Sequence, residues 1–245
     1  MKKFVRNLLH SLGFDLVRYS PPTQAALPTA PEDLANHQIL ERIAPFTMTS
    51  KERQLALIDA VRYVHRRGIP GCFVECGVWR GGSSMAMALT LLNESAPARD
   101  LYLFDTFAGM TPPTDLDTTT DGTLASTHLA RDPARTGLNW CVADLTDVRT
   151  NLASTSYPRD HLHFIQGPVE STIPSAPPPG PIALLRLDTD WYESTRHELE
   201  HLFHRVPDGG IVIIDDYGHW QGASRATDEF LAAQSTPYQI GRAHV

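Results

Sequence analysis

The chain has 245 residues, 42% apolar and 20% charged, enough for one good-sized α/β domain and incompatible with wholesale disorder. Its formal charge of −7 argues against a sequence-independent nucleic-acid binder, which is normally basic. No apolar run reaches the roughly 18 residues of a membrane span, and the odd, sparse set of cysteines (Cys72, Cys76, Cys141) suits a reducing compartment without a disulfide framework.

In residues 1–20, Val5, Leu8, Leu9, Leu12 and Leu16 fall at helical spacing beside Lys2, Lys3, Arg6 and Arg18. Polar interruptions and the lack of a cleavage site exclude an export signal. A surface helix is the plainer expectation, and a basic amphipathic helix resting on an anionic membrane surface the sharper one. Residues 20–46, rich in Pro and Ala, read as a linker. Thr49-x-x-Glu52 fits a capping box for a helix carrying Leu57, Val61 and Val64 and stopped by Gly68 and Pro70.

Strands and helices then alternate: strand 73–75, helix 83–92, strand 101–105, a candidate helix over 142–152, strand 162–166, a proline-rich connector 174–181, strand 182–187, helix 192–205, strand 211–214 and helix 225–233. Short apolar strands between helices predict an α/β fold with a mostly parallel sheet covered on both faces. Residues 106–135, rich in Thr, Asp and Pro and without apolar period, read as a lid, a binding loop or a loose insertion.

Ligands bind such sheets at the carboxyl ends of the strands. There, the turn Glu75-Cys76-Gly77-Val78-Trp79-Arg80-Gly81-Gly82-Ser83 is glycine-rich, yet Trp79 stands where a dinucleotide fingerprint needs its second Gly, so a ligand without pyrophosphate fits better. Asp105, 28 residues after Gly77, closes the next strand and can accept ribose hydroxyls. Together the two argue for an adenosine-containing ligand. Asp188-Thr189-Asp190 and Asp215-Asp216 close two further strands. If these are neighbours, Asp188, Asp215 and Asp216 converge, and a hard cation, Mg²⁺ first, would offset their repulsion. Asp190 is the candidate N-cap of the following helix. His197-Glu198-Leu199-Glu200-His201 matches H-E-x-x-H, but reads as an outer helix with Leu199, Leu202 and Phe203 inward rather than as a zinc site. Cys72 and Cys76 read as strand residues facing one way.

The segments 73–83, Phe104-Asp105-Thr106-Phe107-Ala108-Gly109-Met110, Leu185-Arg186-Leu187-Asp188-Thr189-Asp190-Trp191-Tyr192-Glu193-Ser194-Thr195, and Gly209-Gly210 running into Asp215-Asp216-Tyr217 together resemble the macrocin O-methyltransferase family. These are S-adenosylmethionine (SAM) and Mg²⁺-dependent enzymes that methylate sugar hydroxyls. The resemblance implies a Rossmann-like methyltransferase domain over 46–239, after an N-terminal helix and linker over 1–45. It implies that Glu75, Gly77, Trp79, Gly81 and Ser83 hold the methionine part of SAM with Thr47, Met48, Thr49 and Ser50. Asp105, Thr106 and Phe107 would hold the ribose, and Gln166 and Gly167 would lie near the adenine. Asp188, Asp215 and Asp216 would bind Mg²⁺, with Asp188 as general base. The implied acceptor is a glycosylated natural product or surface polysaccharide. The implied setting is a homo-oligomer in the cytoplasm, with peripheral membrane contact if residues 1–20 provide it.

Two other classes compete: a glycosyltransferase using Asp188 and Asp190 as a D-x-D metal site, and a non-catalytic module that keeps the SAM fold. Finally, Ile240-Gly241-Arg242-Ala243-His244-Val245 reads as one frame of a common sequencing adapter. The expectation is therefore a natural sequence that stops near Gln239 and a sheet lacking its C-terminal strands.

Overall fold

The computed structural model describes residues 31–134, 138–235 and 241; the expected basic helix of 1–20 and, Gly241 apart, the tail 240–245 lie outside them. The described chain runs α1 (Pro31–Ile43), α2 (Lys51–Arg66), β1 (Cys72–Cys76), α3 (Gly82–Asn93), β2 (Leu101–Asp105), α4 (Ala125–Leu129), α5 (Leu145–Ala153), β3 (Leu162–Gln166), α6 (Val169–Ser175), β4 (Ile182–Leu187), α7 (Tyr192–Leu202), β5 (Ile211–Ile214) and α8 (Gln221–Ala232). The five strands form one parallel sheet in the order β3-β2-β1-β4-β5. The chain winds outward from β1 to β3, then returns to lay β4 and β5 on the other side of β1. The switch point therefore lies between β1 and β4, where Gly77 and Asp188 emerge side by side.

Strand alternation divides the core. Phe73, Leu101, Leu103 and Leu184 pack against α1, α2, α3 and α5, whose Ile43, Ile58, Val61, Met85, Val148 and Leu152 are buried. Val74, Cys76, Phe104, Leu185 and Leu187 face Val169, Ile173, Leu199 and Leu202 from α6 and α7, with Phe230 of α8 beside them. Cys72 packs on the same side as Cys76, as the alternation requires. Each such Leu, Ile or Phe buried in full contributes about 1.5–3 kcal/mol.

Four local expectations are corrected. Residues 31–43 are helical rather than linker, because Ile39 and Ile43, one turn apart, enter the core; Glu32 and Asp33 sit favourably in the first turn. The N-cap of α2 is Ser50, which accepts from Arg53 N, and not Thr49, so the capping pattern is displaced by one residue. The helix expected from Val142 begins at Leu145, where Asp144 accepts the Asp147 N–H at 2.8 Å. Residues 106–134 are no loose insertion: they carry α4 and take part in two antiparallel bridges, and their Ala125 and Leu129 share a satellite core with Trp140 and Trp191.

Candidate functional site

A cleft of about 590 Å³ opens at the carboxyl ends of the five strands. Its lining includes Thr47, Met48, Thr49, Gly77, Trp79, Ser83, Asp105, Thr106, Gly167, Asp188, Asp215 and Asp216. The turn after β1 needs glycine at Gly77: φ is +81°, and a Cβ there would stand 1.9 Å from the Asp188 carbonyl oxygen. Asp188 N in turn donates to Cys76 O at 2.9 Å, tying the ends of the two strands together.

Other predicted residues stand behind that lining. Ser50 is committed to its cap, and Gly81 packs under Leu152. Phe107 belongs to the core beside Phe164, and Gln166 is exposed at the end of β3. Glu75 is buried; one oxygen accepts from Arg186 Nη1 at 2.8 Å and the other from the Ser84 hydroxyl. Both oxygens of Asp105 are engaged by the protein: Oδ2 accepts from Val78 N at 2.6 Å and Trp79 N at 3.0 Å, and Oδ1 from Phe107 N at 2.7 Å. It braces the Gly77 turn onto β2, and burial pushes its pKa up against those N–H donors.

The acids after β4 and β5 do converge. Oxygens of Asp188, Asp215 and Asp216 lie within 4.8 Å of one another. The parallel register Leu187↔Ile214 delivers Asp188 and Asp215 to the same level, and Asp215 N donates to Leu187 O at 2.9 Å. Burial raises the pKa of Asp188 and Asp216 well above the carboxylate range, and neighbouring acids add to it. An all-oxygen set of carboxylates whose ionisation is opposed in this way fits a hard divalent cation.

Sequence reasoning assigned no role to Arg186, a buried arginine within β4. Its guanidinium donates to Glu75, to Asp188 Oδ2 at 2.7 Å and to Thr49 Oγ1 at 3.3 Å, and pairs with Asp215 Oδ1 at 2.9 Å. Burial lowers its pKa, but Asp188, Asp215 and Glu75 more than offset that and keep it a cation. The readable signal was a lone charge inside a strand otherwise made of Ile, Ala and Leu. Arg53 adds a second cation, at 3.2 Å from Asp215 Oδ2.

Asp190 is not the N-cap of α7. Its φ is +68°, its N–H donates to Asp216 Oδ2 at 3.0 Å, and its carboxylate accepts from Trp220 Nε1 at 2.7 Å; burial, with Asp188 nearby, pushes its pKa up to about 7. The open end of α7 is served instead by Asp117, which accepts Tyr192 N at 2.7 Å. The H-E-x-x-H segment is not a metal site. Glu198 is turned into the core, where it accepts from Thr189 Oγ1 at 3.0 Å, while His197 and His201 stack at 3.9 Å. Among the described residues, the three aspartates alone form a metal-compatible group.

Residues 34–243 match the family model described as macrocin-O-methyltransferase (TylF). An 8-demethyl-8-(2,3-dimethoxy-α-L-rhamnosyl)-tetracenomycin-C 4′-O-methyltransferase from Streptomyces olivaceus is 35% identical over 221 residues, covering 89% of this chain and 77% of that one. The demethyldecarbamoylnovobiocin O-methyltransferase of Streptomyces niveus is 31% identical, covering 76% and 68%. Among solved structures, the O-methyltransferase NovP aligns with TM-score 0.64 and 31% identity over 76% of this chain and 74% of its own. The calicheamicin methyltransferase CalS11, at 19% identity and TM-score 0.58, supports the fold alone; it covers 93% of this chain and 97% of its own.

Proposed function

From the premise that this chain belongs to the macrocin-O-methyltransferase family and is a SAM-dependent O-methyltransferase, we propose that it methylates a sugar hydroxyl, on a glycosylated natural product or surface polysaccharide, with Mg²⁺ held by Asp188, Asp215 and Asp216. The observation that carries this reading is the convergence of those three acids beside the Gly77 turn, on one rim of one cleft. The curated relatives point to the acceptor class, since the S. olivaceus enzyme is named for a rhamnosyl substrate.

The chain's residues divide the work. Thr47, Met48, Thr49, Gly77, Trp79 and Ser83 form the donor wall, with Glu75, Ser50 and Gly81 supporting it from behind. Asp105 and Thr106, beside Phe107, would hold the ribose, and Gln166 and Gly167 would lie near the adenine. SAM supplies a methyl group made electrophilic by its sulfonium. Bound Mg²⁺ would supply Lewis acidity that lowers the pKa of a sugar hydroxyl. Asp188, whose Oδ2 is held by Arg186, would also be the base that takes the hydroxyl proton. The balance is one O–CH₃ bond formed, one S–CH₃ bond broken to leave a neutral thioether, and one proton on Asp188. Holding both reactants in the cleft at near-attack distance supplies much of the remaining acceleration.

The test is transfer of tritiated methyl from SAM to a panel of rhamnosides and other glycosides, with Mg²⁺ and with a chelator. Activity that survives chelation would refute the metal assignment; inactivity on every glycoside would refute the acceptor class. We further propose a cytoplasmic homo-oligomer, to be checked by sedimentation. Among the described residues, no helix is long and apolar enough to cross a membrane.

A further inference from the structure

Beyond the residues assigned to the donor, the cleft is also lined by rings. Trp191 and Trp220 meet edge to face at 5.0 Å, and His128 and His219 contact Trp220 at 6.3 and 5.0 Å. Trp220 also donates to Asp190, whose own N–H donates to Asp216, so the rings are linked to the acid cluster through Asp190. The surface thus combines an apolar, aromatic side with an anionic edge. A pyranose has the matching form: a C–H face that stacks on aromatic rings and hydroxyls directed outward at its rim.

The wall is held by a buried latch. Asp117, fully buried, accepts Tyr192 N on one oxygen and Thr114 N and Oγ1, at 2.7 and 3.0 Å, on the other. Gly222 of α8 closes over it, leaving no room for a Cβ, which would stand 2.1 Å from Asp117 Oδ1. Around the latch, Thr119 bridges Trp220, Gln221 N donates to Thr118 O, and Trp191 Nε1 donates to Thr111 O. The segment 111–129 is thereby clamped to the starts of α7 and α8, which carry the two tryptophans.

We propose that Trp220, backed by Trp191 and flanked by His128, is the acceptor subsite that stacks on the C–H face of the pyranose to be methylated, and that Asp117 is the positioning residue that sets this wall. The proposal rests on the sugar O-methyltransferase reading above and deepens it.

The probe is phenyl α-L-rhamnopyranoside, followed by intrinsic tryptophan fluorescence and by methyl transfer, with S-adenosylhomocysteine affinity measured by calorimetry as the control. Trp220→Leu is expected to weaken glycoside binding about tenfold and Trp220→Phe by less, both with donor-product affinity unchanged. Asp117→Asn keeps one acceptor oxygen and is expected to raise the glycoside KM severalfold at near-constant kcat. Glycoside binding unchanged in Trp220→Leu would overturn the subsite, unchanged binding and KM in Asp117→Asn would overturn the positioning role, and binding of catechol but of no glycoside would overturn both. Should Trp220→Leu fail to fold, Asp117→Asn carries the comparison. Wild-type protein that binds the rhamnoside without methylating it would refute the transfer reading and leave the wall standing; transfer indifferent to Trp220 would do the reverse.

Discussion

Asp188 and Arg186 show how much chemistry can gather at the end of one strand. Asp188→Asn keeps the shape and removes the proposed proton acceptor, so transfer should fall by about 10²–10⁴-fold while S-adenosylhomocysteine still binds; tritium transfer beside calorimetry checks both. Arg186→Met removes the shared partner of Glu75, Asp188 and Asp215. Breaking a buried ion pair from one side costs about 3–5 kcal/mol, and urea unfolding should show a loss of that size. Adding Glu75→Gln should cost less than the two changes separately, because each has already broken the same contact. The converging acids Asp188, Asp215 and Asp216 could be read from the sequence because aspartate at the end of an apolar strand is conspicuous. Asp117 could not: nothing local distinguishes it from the other acids of a Thr/Asp/Pro-rich stretch, and its role exists only where Tyr192 N and Thr114 meet it.

Among the elements, β2 to β5 fall at the predicted bounds, and β4 shows why most plainly: a parallel strand buried on both faces must be apolar almost throughout. The helix ends were less legible. Ser50 and Thr49 are equally good caps by composition, and the choice is made by the chain's path: Thr49 Oγ1 is taken by Arg186 and Ser50 is free to cap. The first helix was hidden because its apolar residues are sparse and matter only once Ile39 and Ile43 meet the core. The β1 turn gives a sharp prediction: Gly77→Ala would drive a methyl into the Asp188 carbonyl and should destabilise by on the order of 4 kcal/mol or abolish folding, read by thermal unfolding. On α7, burial and then His201 hold His197 below its ordinary pKa. The unfolded chain therefore binds that proton first as pH drops below about 6.5, and stability is lost from there down to the folded pKa. Replacing His197 with Leu should narrow the difference in Tm between about pH 7.5 and about pH 5.5.

At the scale of the whole molecule, the site is a property of the switch point. A cation that binds only the folded arrangement of Asp188, Asp215 and Asp216 must stabilise it: at a hundredfold excess over Kd the gain is about 2.7 kcal/mol. Mg²⁺ should thus raise Tm in the wild type, a chelator should reverse the rise, and Asp215→Asn should abolish it; an unmoved Tm would refute the metal site. By itself the sequence determined the alternating α/β pattern, the glycine-rich turn after β1 and the acids at the strand ends, because burial and turn geometry restrict residue type locally. The tertiary structure alone decided that β4 and β5 lie on the far side of β1, bringing Asp188 beside Asp215, and that residues 111–129 fold against Trp191 and Trp220. Those juxtapositions join residues far apart in the chain, and only the packing of the sheet and its helices selects which of them meet.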